Sequence, residues 1–489
     1  MPVAIFARWQ GAIEATGPWF QPRPDALEYA ASAQAIAQTG RVFLQVGPYR
    51  VPPRYPPGWP LLLAATLRAG VSAVDLWRVT ALFGAALAAL LAIVTARAVA
   101  ALTPDSPGPW PFVAGLAAGW IWAIAPIAVG VGRTLLSDEP TALVAIAALL
   151  ATAAALLADG GAPVTALGGF CLGLTASLRP VAAVLLAPPL AVLLIDGIGG
   201  IGGIGGLRLR GLRPTLARAA AWGLGAAVFP ALTVWLLSRS GLPAWEWSAG
   251  YRFWVPEYCA RLADTFNLRY AVTPDASFPI GQGGRPLSHL GIAARVLLGL
   301  PGLRARNYLG LFWPLAGWLA AVPLCFLARS RPVSDRLPWL AAALLLWTLG
   351  HVAVFSLYFY PAARFYLVPL ALCVFLLATA CGVFLARPGW GRGAAGVVLA
   401  LALGLTLYEH RAMRGEVTPE PQNERTWSRF ARWRERSDAE RAARVVPFDP
   451  VHAQALGLLP PEVVDSVHSW GELPDTAHVR RLRAAGRIP

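Results

Sequence analysis

Short clusters of acids, arginines and tyrosines stand beside long apolar runs, and those residue types are suited to proton transfer and anion binding. The first cluster is Pro24-Asp25-Ala26-Leu27-Glu28-Tyr29, and the second is Arg54-Tyr55-Pro56-Pro57-Gly58-Trp59-Pro60. Arg133-Thr134-Leu135-Leu136-Ser137-Asp138-Glu139-Pro140 follows, then Ser177-Leu178-Arg179-Pro180, and far downstream Arg364-Phe365-Tyr366. A carboxylate can take the proton from an attacking hydroxyl, and an arginine fork can hold a phosphate. Each cluster also has a bland reading. Asp25 suits a place at or near the N-cap of a helix running to about Thr39, where its oxygen would accept from free backbone N–H groups. Pro56-Pro57 reads as an extended step into an apolar helix of about twelve residues, too short to cross a bilayer and suited to its interface. The charges between spans are otherwise loop charges that snorkel to water.

The elements that must position these clusters are membrane spans. Of 489 residues 56% are apolar and only 14% charged, and the apolar residues come in blocks rather than amphipathic stripes. Each crossing needs roughly 17 to 25 mostly apolar residues. The expected fold is an all-α polytopic membrane protein of about ten spans. They read as Leu76 to Ala101, Trp110 to Val129, Leu143 to Leu157, Ala162 to Leu178, Val181 to Ile195, Ala219 to Leu237, Tyr308 to Ala328, Leu337 to Tyr358, Phe365 to Ala386 and Ala394 to Leu407. Three regions follow: an outer segment with interfacial helices over 1–74, a membrane domain over 75–409 with an outer loop at 239–307, and a small soluble α/β tail over 410–489. The short spans around Arg179 are alternatively one re-entrant hairpin.

The net charge of +15 is carried entirely by arginine, since the sequence has no lysine. In a polytopic chain that excess marks cytoplasmic loops or faces anionic lipid, and nucleic-acid binding is not inferred. Arg208, Arg210, Arg213, Arg218, Arg329, Arg331, Arg336, Arg387 and Arg392 fall in loops on one face, which the positive-inside rule makes cytoplasmic. Parity then puts Asp25, Arg133, Asp138, Arg179, Arg364 and the tail at the other, extracytoplasmic face of the plasma membrane. Acids and arginines gathered at one membrane edge would share one cavity.

In their order, Asp25 with Glu28 and Tyr29, the Tyr55-Pro56-Pro57-Gly58 step, Ser137-Asp138-Glu139-Pro140, Arg179-Pro180 and Arg364-Phe365-Tyr366 resemble the C-type membrane glycosyltransferases. The resemblance is to the protein O-mannosyltransferase and aminoarabinose transferase branch, and runs from about Phe20 to Leu407. It implies transfer of a hexosyl or pentosyl unit from a polyprenyl-phosphate donor to a hydroxyl of a lipid, glycan or protein. Asp25 would be the general base, Glu28 would assist or orient it, and Asp138 would share a divalent metal with Asp25 or shape the acceptor pocket. Arg179 and Arg364 would bind the departing phosphate, with Arg54 and Arg133 beside them and Tyr55, Glu139 and Tyr366 completing the substrate-binding set. No nucleotide is implied, and a divalent metal is the one cofactor left open. The family places a spanning helix ahead of the first acid, where this sequence has only residues 1–24, so the expectation is a chain incomplete at both ends.

A transporter or lipid flippase is the rival, because intramembrane charges also mark substrate pathways. Transporters commonly carry internal repeats and paired broken helices, and no repeat is evident here. Five cysteines, mostly inside apolar runs, give no disulfide framework, and residues 1–17 do not read as a signal peptide. The histidines are scattered; His351, alone in a span, reads as a satisfied structural residue. The Ile198–Gly206 repeat reads as linker, and the aromatics from Trp245 to Tyr258 as an interfacial shelf.

Overall fold

The computed structural model describes residues 24–46, 49–51, 53, 55–71, 76–106, 108–132, 135–157, 162–186, 212–241, 320, 348–351 and 363–416. Helix α1 (Pro24–Thr39) is followed by a two-stranded antiparallel hairpin, β1 (Leu44–Val46) and β2 (Tyr49–Val51), and by α2 (Gly58–Arg68). The bundle helices are α3 (Trp77–Leu102), α4 (Trp110–Ile124), α5 (Pro126–Gly132), α6 (Asp138–Leu157), α7 (Ala162–Leu178), α8 (Leu212–Arg239), α9 (Leu367–Ala386) and α10 (Trp390–Glu416). A 3₁₀ turn, Ala363–Tyr366, leads into α9, and residues 180–186 and 348–351 are also helical.

Among the described residues, four helices are long and apolar enough to cross a membrane, and the α4–α5 pair makes up to five. At ~1.5 Å per residue, α9 is about 30 Å long, the thickness of a bilayer's hydrocarbon core. The chain is therefore a multi-pass membrane protein. The expected straight span from Trp110 to Val129 is broken: Ala125 turns extended (ψ 121°) and α5 leaves α4 at 56°. Pro126 explains the break, since it has no N–H for Trp122's carbonyl and restricts the residue before it. His410 meets the exposed end, a ring nitrogen 3.1 Å from the carbonyl of Ile124.

The centre of the bundle is α3, α4 and α9, with Leu87, Leu91, Trp122, Leu370 and Leu377 in one buried cluster. α9 is almost wholly enclosed, whereas α8 and α10 turn Leu224, Trp235, Trp390 and Leu401 outward as lipid-facing helices do. α7 and α8 approach backbone to backbone because Gly169 and Gly173 lie against the Trp222 and Ala226 carbonyls, where a Cβ would not fit.

α10 runs to Glu416, through the boundary expected at 409/410. The 3₁₀ turn likewise replaces the expected α-helical start at Phe365. The spans at 308–328 and 337–358, apart from 320 and 348–351, lie outside the described residues. So do residues 187–195 of the fifth expected span, the repeat at 198–206, the aromatic shelf and the tail beyond 416.

Candidate active site

One end of the bundle gathers the start of α6, the end of α7, the turn before α9, and the helices α1 and α2. α1 and α2 pack on each other through Tyr29, Ala33, Ile36, Trp59 and Leu63, joined by Leu135, Leu136, Leu178 and Leu237 from the bundle. Arg68 fastens the pair by donating to the carbonyls of Ala37 (3.0 Å) and Ile36 (3.3 Å) at the end of α1. The short apolar α2 thus forms where an interfacial helix was expected.

Glu28 and Tyr29 are both buried on α1. The backbone N–H of Tyr55 donates to Glu28 Oε1 at 3.3 Å, and the rings of Tyr29 and Tyr55 lie 4.8 Å apart. The Tyr29 hydroxyl shares a hydrogen bond of 3.1 Å with Ser137 Oγ, and Trp59 Nε1–H donates to the Leu135 carbonyl at 3.3 Å. Two motifs of the N-terminal segment are thereby fastened to the loop that carries Asp138. Gly58 makes this closeness possible: its Cα lies over the Ser177 backbone, and an added Cβ would be 2.8 Å from Ser177 Cβ and nearer still to its carbonyl oxygen.

Ser137-Asp138-Glu139-Pro140 is a helix start in its own right. The Ser137 carbonyl accepts from Thr141 N–H at 2.9 Å, and two acids sit in the first turn where the helix dipole favours them. Arg179 lies just past α7, where a cation is favoured, and Pro180 ends that helix. Asp138 and Arg179 meet as an ion pair, with Asp138 buried and Arg179 about a quarter exposed. The Arg179 guanidinium also lies 4.4 Å from the centre of the Phe365 ring, and that of Arg364 lies 5.5 Å from it. One phenyl ring thus carries two guanidiniums.

Of the residues singled out in the sequence, Glu28, Tyr55, Asp138, Glu139, Arg179, Arg364 and Tyr366 belong to this end of the bundle. Glu139 and Tyr366 are enclosed, which makes them part of its framework. Asp25 lies in the first turn of α1, near the N-cap as expected, since the helix begins at Pro24, a residue well suited to a first helical position. The Asp25 side chain, Arg54 and Arg133 lie outside the described residues. Among the described residues no group of three or more His, Cys, Asp or Glu stands together, and a metal at Asp138 would have to displace Arg179.

Sequence reasoning passed over Phe365, Ser137 and His351 as working residues. His351 Nε2 is 2.7 Å from the Phe365 carbonyl, so the histidine is satisfied as expected, and by a residue of the site. A signal for it exists. Four residues beyond Phe365 stands Pro369, which has no N–H to offer that carbonyl in an α-helical bond.

The chain is similar to ArnT from Cupriavidus metallidurans in the apo state, with a TM-score of 0.50 and 13% identity over 85% of this chain and 76% of that one. The same protein bound to undecaprenyl phosphate gives a TM-score of 0.48 and 14% identity over 85% and 77%. The archaeal oligosaccharyltransferase AglB from Archaeoglobus fulgidus, solved with an inhibitory peptide and a dolichol-phosphate, gives 0.48 and 14% over 92% of this chain. The chain spans 60% of the length of that oligosaccharyltransferase. No family model and no curated protein matches the sequence.

Proposed function

We propose that this chain is a membrane glycosyltransferase that moves a hexosyl or pentosyl unit from a polyprenyl-phosphate donor to an acceptor hydroxyl at the extracytoplasmic face of the plasma membrane. The observation that carries the reading is the pair of guanidiniums of Arg179 and Arg364 on the Phe365 ring, at the bundle end that also holds Asp138 and Glu28. Two arginines fit the phosphate that leaves with the lipid, and the sequence resemblance adds Arg54 and Arg133 to them. The sugar unit, the acceptor and the carrier's chain length are set by surfaces beyond this clamp.

In the reaction, the acceptor oxygen attacks the anomeric carbon as the bond from that carbon to the phosphate oxygen breaks, inverting the centre. Asp25 takes the hydroxyl proton, and the lipid phosphate leaves with the bonding electrons onto the arginine clamp. Glu28 orients the outer segment through the Tyr55 backbone, and Asp138 holds Arg179 in register with Phe365. Hydrogen bonds to the departing phosphate strengthen as its charge develops.

A transporter would need a path between two faces, whereas the paired groups gather at one end of the bundle. The test is transfer of label from polyprenyl-phosphate sugars in membranes holding the chain or its Asp25→Asn variant. Loss of about 10²-fold or more, at equal membrane abundance, supports the base assignment. Equal transfer by both removes Asp25 from the mechanism. No transfer from any carrier, with uptake or flipping of lipid instead, favours the transporter.

A further inference from the structure

The clamp has a hidden support. Arg179 and Arg364 come from different parts of the chain and meet on one ring, so the position of Phe365 decides whether both guanidiniums face the same anion. Phe365 sits in the 3₁₀ turn Ala363–Tyr366 that leads into α9, and Pro369, four residues on, has no N–H to give its carbonyl an α-helical bond. His351, buried and fourteen residues earlier, places Nε2 2.7 Å from that carbonyl. A carbonyl oxygen only accepts, so Nε2 carries the proton in this contact.

We propose that His351 is a positioning residue for the phosphate clamp: its Nε2–H holds the Phe365 backbone, and with it the ring that Arg179 and Arg364 share. The inference rests on the reading of that clamp as the phosphate site. His351 itself touches neither donor nor acceptor. A residue with this role sets affinity for the lipid phosphate while leaving the proton transfer at Asp25 alone.

The experiment uses the full chain purified into lipid nanodiscs, with undecaprenyl phosphate as the probe. His351→Gln keeps an N–H donor; His351→Leu and His351→Phe do not. Both apolar variants should bind undecaprenyl phosphate about ten-fold more weakly, and His351→Gln within about two-fold of the parent chain. In transfer assays the apolar variants should raise KM for the donor and also lower kcat, because the clamp bonds the phosphate more strongly as it departs, while His351→Gln should change both little. A folded apolar variant that binds normally overturns the proposal, as does a His351→Gln variant as weak as the apolar ones. If neither apolar variant folds, His351 is a stability element and the proposal is overturned. Failure of the folded parent chain and of Arg179→Ala alike to bind the probe overturns the phosphate-site reading itself, a result distinct from a defect confined to His351.

Discussion

Replacing Gly58 with alanine adds one carbon where the start of α2 crosses the end of α7. That carbon would be 2.5 Å from the Ser177 carbonyl carbon and 2.8 Å from its Cβ, where ordinary contact begins at 3.4 Å. The obstructing atoms are mostly backbone, so no rotamer change relieves them, and the two segments must separate by about 1 Å. Overpacking of this kind costs about 1–3 kcal/mol. The displacement also travels, because Trp59 is bonded to Leu135 and Tyr55 to Glu28, and a 1 Å misplacement near a reacting group lowers rates by up to ~10²-fold. Gly223→Ala is the matched control: it makes the same chemical change on the exposed face of α8, where nothing lies within 4 Å of the added carbon. There the helix-propensity gain of up to ~1 kcal/mol should leave stability unchanged or higher. Thermal unfolding of both variants in nanodiscs, followed by donor transfer, checks the pair. A Gly58→Ala chain that melts at or above the parent temperature, or a Gly223→Ala chain equally weakened, would refute the close approach of α2 and α7.

Asp138→Asn should lower stability toward the lower side of the ~3–5 kcal/mol typical of a broken buried ion pair, because Arg179 keeps some water contact and its ring partner. The same variant should bind undecaprenyl phosphate more weakly, since the arginine it releases loses its register with Phe365; unchanged affinity would contradict an orienting Asp138. Arg179→Lys keeps the charge but gives up the planar fork and its stacking on Phe365. Titration with undecaprenyl phosphate should show affinity reduced by about ten-fold, and an unchanged value would remove the guanidinium from the clamp.

Local chemistry was largely legible along the chain. Pro24 and Asp25 open a helix that ends at Thr39 as expected, Pro56-Pro57 precedes the short apolar α2, and the helix from Ala162 ends at Leu178 before Arg179-Pro180. Such boundaries depend on backbone geometry within a few residues, which proline and capping side chains control directly. The hairpin of β1 and β2 was missed because two three-residue strands are too brief to display an alternating pattern. The bend at Ala125 was missed for a different reason: apolar content identifies a span but does not register a helix broken inside one.

The sequence by itself determined that the chain lives in a membrane, which residue types could do chemistry, and that they flank helix ends. Those facts follow from solvation, since each apolar run must leave water and each charge must stay at its edge. Only the tertiary structure decided that Asp138 meets Arg179, that Arg179 and Arg364 share Phe365, and that His351 meets the Phe365 carbonyl. These contacts join residues far apart in the chain through the packing of several helices, and side-chain reach across a bundle is fixed by that packing rather than by any local pattern.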